Sequence, residues 1–387
     1  MPLTTLSGAT GATTRGVSTV NPFMLPRNRR SRTAAAALIG ATALVLVGCS
    51  SDPDADTTEA SGEGSEEIGI SLIVKTTTNP FFIAMQDGAQ EAAEELGVEL
   101  TLAAGREDGD EDTQIQAIEN AISQGQQGIL ITPNGPAVVD AIDRARDAGL
   151  YVIALDTPPD PADAVDITFA TDNFDAGLRI GEWTAGHLDG EDAVIALLDL
   201  FDDKVVSVDY NRDQGFLTGM GIDVADPTRN GDEAPTGEYS GGSYTIVCNE
   251  ATNGAEDGGT TAMETCLSQN PDINVVYTIN EPAAYGAYQA LESAGKADGV
   301  ILVSVDGGCA GVGYVEEGII GATSQQYPLR MAQEGVKAIA ELVRTGTAPE
   351  TTEGLDFFDT GVELVTNTPV DGVESIDVQA AQEICWG

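Results

Sequence analysis

Basic residues are scarce in this chain, and histidine is nearly absent. The 387 residues include 17 Lys and Arg and one His, against 63 Asp and Glu, so the formal net charge is −46. A surface of this sign repels nucleic acid and anionic membranes, and neither is expected as a partner. With one His, a Ser-His or Cys-His catalytic pair is not expected, and no P-loop for nucleotide phosphates occurs. The composition therefore argues against these enzyme classes.

A long apolar run that could cross a membrane is also missing. The apolar stretch Ala34–Val47 has 14 residues, too few to span a bilayer as a helix. It follows the four arginines between Arg27 and Arg32 and ends just before Gly48-Cys49, as in the signal peptide of an exported protein. The Gly-Cys junction resembles the bacterial lipoprotein signal, in which the cysteine is acylated. Residues 1–49 are therefore predicted to be a lipoprotein signal peptide.

An ordinary signal peptide or a short anchor is the alternative, and either Met1 or Met24 can be the start. Acylation of Cys49 would attach the exported protein, by its lipid alone, to the outer face of the cytoplasmic membrane. A periplasmic location is the alternative. Residues 50–66 have no apolar periodicity and indicate a disordered tether. The exported part carries 12 basic and 63 acidic residues. Its formal charge of −51 would be explained equally well by high-salt adaptation or by solubility.

Four further cysteines follow the tether: Cys248, Cys266, Cys309 and Cys385. An even number in an exported protein favours two disulfides, for which three pairings are possible. The absence of a Cys-x-x-Cys pair argues against zinc. Asp108, Asp110 and Asp112 are spaced like the start of a calcium loop, but the later Gly and Glu are absent. An acidic turn that caps a helix is expected instead, and no metal site or cofactor is predicted.

From Ile68 onward, nine short apolar runs alternate with amphipathic segments. The runs are almost continuously apolar, which is typical of parallel strands covered by helices on both faces. Nine or ten strands are many for one sheet, so the predicted fold is α/β with two doubly wound parallel-sheet domains. The Gly-, Pro- and Asp-rich stretch Asp226–Gly242 is predicted to be a surface insertion. In such sheets, ligands bind beyond the carboxyl ends of the strands.

Polar segments at these strand ends resemble the periplasmic sugar-binding proteins of ABC importers, with the type-I fold of the ribose-binding family. The segments are KTTTNPFF (75–82), IALDTP (153–158), FATDNFDAG (169–177), TINEPAAYGAYQAL (278–291), VSVDGG (303–308) and GATSQQYPL (321–329). The last three, with CWG (385–387), are most similar to the fructose-binding branch. The resemblance implies two lobes, 67–171 plus 327–356 and 172–326 plus 357–387. The chain would cross between them near Thr171, near Gln326 and just after Leu355.

The resemblance also implies a ligand set in the cleft: Lys75, Asn79, Phe81, Phe82, Asp156, Arg212, Asn253, Asn280, Asp306 and Gln326. A sugar needs apolar plates for its C–H faces and carboxylate, amide or guanidinium groups for its hydroxyls. At least one Phe ring is expected to stack on the sugar, although core packing would also account for either ring.

Single positions refine this set. Asn79 would also cap a helix before Pro80. Arg212 matches the arginine before the second domain's helix. Thr157 replaces an arginine of the ribose binder, which argues against a ribose-type pocket, and Lys75 would supply the missing charge. The predicted disulfides are Cys248–Cys266, from a strand end to the next helix, and Cys309–Cys385, from the loop after Asp306 to the C-terminal tail.

These observations predict a monomeric, non-enzymatic, lipid-anchored substrate-binding protein. It would deliver a monosaccharide, with fructose favoured, to a permease and an ATPase that are separate chains. Ribose, xylose or another hexose is an alternative ligand, and a sugar sensor for a chemoreceptor or kinase is an alternative role. A glycosidase that uses Asp156 and Asp306 as an acid–base pair is a further alternative.

Overall fold

The computed structural model describes residues 68–387. The signal peptide, Cys49 and the tether lie outside the described residues and stay predictions. Within the described part the chain forms thirteen strands: β1 Gly69–Val74, β2 Glu99–Ala104, β3 Gly128–Ile131, β4 Tyr151–Leu155, β5 Ile167–Ala170, β6 Ala193–Asp199, β7 Thr236–Glu238, β8 Ser243–Ala251, β9 Val275–Thr278, β10 Ile301–Asp306, β11 Ala322–Gln325, β12 Phe358–Asp359 and β13 Glu363–Val365.

The same residues form ten α-helices: α1 Pro80–Leu96, α2 Glu111–Gln124, α3 Val139–Asp147, α4 Asn173–His187, α5 Ser207–Met220, α6 Glu256–Gln269, α7 Glu281–Ser293, α8 Cys309–Glu317, α9 Pro328–Thr345 and α10 Val378–Gln382. Two short 3₁₀ helices, Pro136–Val138 and Ala162–Ala164, precede α3 and β5. No helix within residues 68–387 combines the length and apolarity that crossing a membrane requires.

The strands form two sheets. The first has the order β12-β5-β4-β3-β1-β2, and all of its neighbouring strands are parallel. The second has the order β13-β11-β10-β9-β6-β8-β7, with antiparallel strands only at its two edges. The predicted α/β fold with two doubly wound parallel sheets is confirmed.

The apolar runs are continuous because both faces of each sheet are covered. In β1, Leu72 packs with helices α1 and α9, whereas the next residue, Ile73, packs on the opposite face with α2 and α3. Adjacent residues of a strand point to opposite faces, so both must be apolar here. The second sheet is covered in the same way, by α4 and α5 on one face and by α6 and α7 on the other.

Two elements differ from the sequence prediction. Helix α5 shows no clear apolar period, because it is buried almost all round and its buried residues include Arg212, Asp213 and Gln214. Arg212 therefore lies within this helix and not before it, which corrects the prediction. Strand β12 pairs with β5 in the first sheet, so the chain leaves that sheet after Asp359 and not just after Leu355.

Candidate functional site

The cleft is built from residues that follow the parallel strands. Asp156 follows β4 of the first sheet, while Asn280 follows β9 and Asp306 ends β10 of the second sheet. Asp156 and Asp306 both have positive φ, 65° and 142°, a conformation that residues with a side chain seldom adopt. Such backbone strain is concentrated at binding sites. The strands thus present two strained, buried carboxylates to one region.

Arg212 joins the two carboxylates across the cleft. Its guanidinium nitrogens lie 3.7 Å from Asp156 Oδ1 and 3.9 Å from Asp306 Oδ1, and all three side chains are buried. Arg212 Nε donates to Asn173 Oδ1 at 2.9 Å, and Nη1 donates to the Ile279 carbonyl at 2.9 Å. These two bonds fix the orientation of the guanidinium. The same cation thus lies between a carboxylate of the first lobe, Asp156, and one of the second lobe, Asp306.

The position of Arg212 depends on the close packing of the α4 backbone against the α5 backbone. Gly177 and Gly181 of α4 face Gly215 and Gly219 of α5, and a Cβ at any of them would collide with a carbonyl oxygen of the other helix. Glycine is required at these positions because any side chain would separate the two helices. The close contact brings Arg212 beside the first turn of α4, where Asn173 lies.

Asp306 and Gln326 form the second half of the polar ring. Gln326 Nε2 donates to Asp306 Oδ1 at 3.1 Å, while Gln326 Oε1 is buried without a partner in the described part of the chain. Burial raises the pKa of Asp306 to about 7, although Arg212 opposes the shift. Asp156 Oδ1 is likewise buried without a hydrogen-bond partner, and Oδ2 accepts from the Thr157 hydroxyl at 2.8 Å. Two buried acceptor oxygens beside Asp306 are therefore unsatisfied within the described residues.

Asparagines shape both rims of the cleft. Asn79 caps α1 as predicted, since its Oδ1 accepts from Phe81 N at 2.9 Å. Asn280 caps α7, and its Nδ2 donates to the Gly254 carbonyl at 3.0 Å. Asn253 has a φ of 55° in the turn before Gly254. Asn79 and Asn253 both line a cavity of about 1120 Å³, to which Asp306 also contributes.

The aromatic prediction concerns Phe81 and Phe82. Both rings are buried in the core of the first lobe, 5.3 Å apart between centroids, and Phe81 also meets Trp386 edge-on at 5.3 Å. Neither is among the residues that line the cavity, whereas Trp386 is. Stacking of a Phe ring on a sugar stays a prediction. The structure places Trp386 at the cleft, together with the rings of Phe201, Tyr285 and Tyr314.

Two cleft acids were missed as ligand candidates. Asp108 lines the cavity, and its buried Oδ1 has no partner within the described residues. Burial raises the pKa of Asp108, while the charges of Lys75 and Lys204 lower it. Lys75, which directly follows β1 of the same lobe, is 4% exposed, and its role in ligand binding stays a prediction. The sequence indicated only a capping turn, and Asp110 does cap α2 by accepting from Thr113 N at 3.3 Å.

Glu281 is the second missed acid. Its carboxylate accepts from Gly307 N at 2.8 Å, from Gly308 N at 3.2 Å and from the Thr323 hydroxyl at 2.9 Å. Burial, followed by the charge of Asp306, raises the pKa of Glu281 to about 8. The side chain thus holds the turn after Asp306 in place. Its position one residue after Asn280 was the only signal in the sequence.

Both predicted disulfides are present. Cys248–Cys266 connects β8 to α6, with a Cα–Cα distance of 5.6 Å. Cys309–Cys385 connects the start of α8 to the C-terminal tail, with a Cα–Cα distance of 5.0 Å. The second bridge holds Trp386 at the cleft, and Cys309 N also donates to the Trp386 carbonyl at 2.9 Å.

Two doubly wound lobes with a charged, hydrogen-bonding cleft define a type-I periplasmic binding protein. The chain belongs to the periplasmic binding protein family, whose domain profile matches residues 70–348.

Known relatives agree with this class. The chain is similar to the D-apiose import binding protein of Actinobacillus succinogenes, with 30% identity over 284 residues, 72% of this chain and 83% of that protein. It is 28% identical over 335 residues to the D-ribose/D-allose-binding protein of Pseudomonas aeruginosa, covering 84% of this chain and 96% of that protein. Both relatives are named as sugar-binding proteins, and the first as an import binding protein. The chain is likewise a binding protein, so the glycosidase interpretation is set aside.

Solved structures share the fold. An ABC-transporter solute-binding protein from Actinobacillus succinogenes with bound D-allose has a TM-score of 0.67 and 22% identity, over 82% of this chain and all of that chain. A carbohydrate-transporter binding protein from Agrobacterium radiobacter, in complex with D-arabinose, has a TM-score of 0.67 and 24% identity.

Proposed function

We propose that this protein captures a neutral monosaccharide in the cleft between its lobes and delivers it to an ABC permease. The observation that carries the proposal is the ring of Asp156, Arg212, Asp306 and Gln326. Two of its buried acceptors, Asp156 Oδ1 and Gln326 Oε1, have no partner among the described residues. Leaving a buried acceptor unsatisfied costs about 1–3 kcal/mol, which sugar hydroxyls would recover by donating to these oxygens.

Among monosaccharides, D-fructose is the favoured ligand. The segments 278–291, 303–308 and 321–329 and the terminal CWG support it by resemblance to the fructose-binding branch. Thr157 also supports it, because the hydroxyl bonded to Asp156 leaves no cationic fork at the position where the ribose binder carries arginine. The relatives are named for ribose, allose and apiose, so these sugars, xylose and other hexoses are the competing ligands.

Calorimetric titration with fructose, ribose, allose, apiose, glucose and xylose tests the proposal. Fructose should bind most tightly, at roughly micromolar strength, which corresponds to about −8 kcal/mol. Tighter binding of ribose or allose would contradict the fructose assignment while sugar capture stands. Absence of binding by every sugar would contradict the function itself.

Delivery to a permease implies that the lobes close on the ligand. Asp156 comes from the first sheet, while Arg212 and Asp306 come from the second lobe, so a sugar that contacts all three favours the closed arrangement. Small-angle scattering should therefore show a smaller radius with saturating fructose. Identical curves with and without sugar would contradict hinge closure. A sensor that presents bound sugar to a chemoreceptor or kinase would use the same closed form.

The lipid anchor is part of the same proposal. Acylation of Cys49 would keep the protein at the membrane surface, near the permease, through a tether of 50–66. Mass spectrometry of membrane-extracted protein should find a lipid-modified N-terminal Cys49. A mature chain that begins at any other residue would contradict the anchor.

A further inference from the structure

The cavity at the cleft extends beyond the buried polar ring. Its volume is about 1120 Å³, whereas pockets of about 300–1,000 Å³ bury most of the surface of a drug-sized ligand. Asp306 lines this cavity, but Asp156, Arg212 and Gln326 do not. Most of the volume therefore lies outside the ring, and a single monosaccharide is too small to fill it.

The lobes already touch beside this cavity, so its size does not come from a wide separation of the lobes. Ser207, the first residue of α5, donates from Oγ to the Pro158 carbonyl of the first lobe at 2.9 Å. Lys204 Nζ donates to the Gly109 carbonyl at 3.4 Å, and both of these residues line the cavity. A ligand larger than one sugar ring therefore has room while the lobes are in contact.

The additional space runs along the N-terminal halves of α7 and α8. Glu281, which begins α7, holds the turn after Asp306, and a Cβ at Gly311 of α8 would collide with its carboxylate. About one helical turn further along, Tyr285 and Tyr314 stack with ring centroids 4.9 Å apart and planes 8° from parallel. Both tyrosines line the cavity. Four helical residues rise about 6 Å, so Tyr285 lies about that far along α7 from Glu281.

The ring of Tyr285 is not used by a hydrophobic core. None of the five core clusters in the described part of the chain includes Tyr285 or has it packed against its surface. Tyr288, on the same helix, does pack against a core. Ligand sites are typically lined by aromatic side chains with a few polar groups. Tyr285 is therefore available as an apolar plate for the C–H face of a sugar ring.

Charge along this part of the cavity excludes anionic ligands. Glu256 and Asp257, which begin α6, line the cavity. A Cβ at Gly286, the residue after Tyr285, would collide with the Glu256 carbonyl, so the start of α6 lies beside the tyrosine pair. Lys204 is the one basic residue among the described residues that line the cavity. A uronate or a sugar phosphate would be repelled, whereas the hydroxyls of a neutral sugar can donate to the carboxylates.

We propose that this outer arm of the cavity, lined by Tyr285, Tyr314 and Glu256, holds the second ring of a neutral disaccharide whose first ring binds at Asp306. The proposal rests on the proposed capture of a sugar in the cleft and adds the class of ligand. Two rings joined by one oxygen can contact the buried polar groups and the tyrosine pair at the same time. A monosaccharide at Asp306 leaves the outer arm to water.

Calorimetric titration of the full exported chain tests this proposal with fructose, sucrose, turanose and palatinose. The three disaccharides carry glucose on different oxygens of fructose. At least one should bind about tenfold more tightly than fructose, or more, and tenfold corresponds to about 1.4 kcal/mol. Fructose binding without such a gain would overturn the outer site and leave sugar capture standing, whereas absence of binding by all four sugars would overturn both. Tighter binding of glucosamine, a cationic sugar, than of any disaccharide would also overturn the proposal.

Variants of the tyrosines locate the second ring. Tyr285→Ala should remove the gain in affinity of the disaccharide over fructose, while Tyr285→Phe, which keeps the ring, should retain it. Tyr288→Ala is the matched control, because Tyr288 lies on the same helix and is not among the residues that line the cavity. It should show the gain of the wild type. A gain that persists in Tyr285→Ala, with both affinities lowered equally, would show a structural role and contradict the proposal.

Discussion

Trp386 donates its indole N–H to the backbone carbonyl of Gln326 at 2.8 Å. The bond connects the C-terminal tail to the segment where the chain passes from β11 to α9. The Trp386 ring also lies against Phe81 of the first lobe, while Cys309–Cys385 holds the tail to the second lobe. One side chain thus contacts both lobes at the edge of the cleft.

Replacing Trp386 should therefore weaken sugar binding. Trp386→Phe keeps an aromatic ring but removes the bond to Gln326, which costs about 0.5–1.5 kcal/mol of stability. We expect a severalfold loss of sugar affinity by calorimetry, because the bond supports the crossing beside Asp306. Trp183→Phe is the matched control, since Trp183 Nε1 donates to the Thr368 carbonyl at 2.8 Å, in the second-lobe core. Equal sugar affinities of the two variants would contradict the role of Trp386.

Asp306→Asn should weaken sugar binding by about 2–3 kcal/mol, roughly 30- to 150-fold. The substitution removes the charge of the carboxylate and replaces one of its two oxygens with an N–H donor. That donor would face the guanidinium of Arg212, which lies 3.9 Å from Asp306 Oδ1. Calorimetry measures the loss. Asp298→Asn, an exposed acid of the same lobe, is the control and should bind normally. Asp110 is not a suitable control, because its carboxylate caps α2 and pairs with Arg106. Unchanged affinity of Asp306→Asn would contradict the site.

The thermal stability of the sugar-free protein should fall as the pH rises from about 5 to 8. Burial raises the pKa of Asp306 to about 7 and that of Glu281 to about 8. The unfolded chain releases these protons near pH 4. In this window the folded state binds more protons than the unfolded state, so rising pH favours unfolding. Thermal melts should show a shallower decline for Asp306→Asn. A midpoint that rises across this range would contradict the assigned protonation.

Gly177→Ala should destabilise the protein and disturb the site. The added Cβ would collide with the Arg212 carbonyl, and overpacking of this kind costs about 1–3 kcal/mol. Displacing α5 would also move the Arg212 guanidinium, so sugar affinity should fall. Gly313→Ala is the matched control, because a Cβ at this helical position meets nothing within 4 Å. It should stabilise by about 0.5–1 kcal/mol, and denaturant unfolding compares the two. Destabilisation of both variants to the same degree would contradict the packing argument.

Local patterns in the sequence determined the fold class and much of the cleft. Strands are buried on both faces, so their apolar runs marked the sheets, and the residues just past them marked where ligand groups converge. Asn79 before Pro80 predicted the start of α1, because helix capping depends only on residues that are neighbours in the sequence. The pairing of Cys309 with Cys385 and the positions of Asp156 and Asp306 also came from the sequence and from its resemblance to the sugar-binding family.

The tertiary structure alone decided which distant groups meet. Arg212 lies on a helix without apolar periodicity, and only the glycine contacts between α4 and α5 place its guanidinium between Asp156 and Asp306. Asp108 reaches the cleft because its turn faces the second lobe, and Tyr285 meets Tyr314 because α8 lies beside α7. Strand order decides such meetings, since β6 lies between β9 and β8 although β7 follows it in the chain. The spacing of apolar residues along the sequence shows which face of one helix or strand is buried. It does not show which other helix or strand packs there, and the contacts between distant residues depend on that packing.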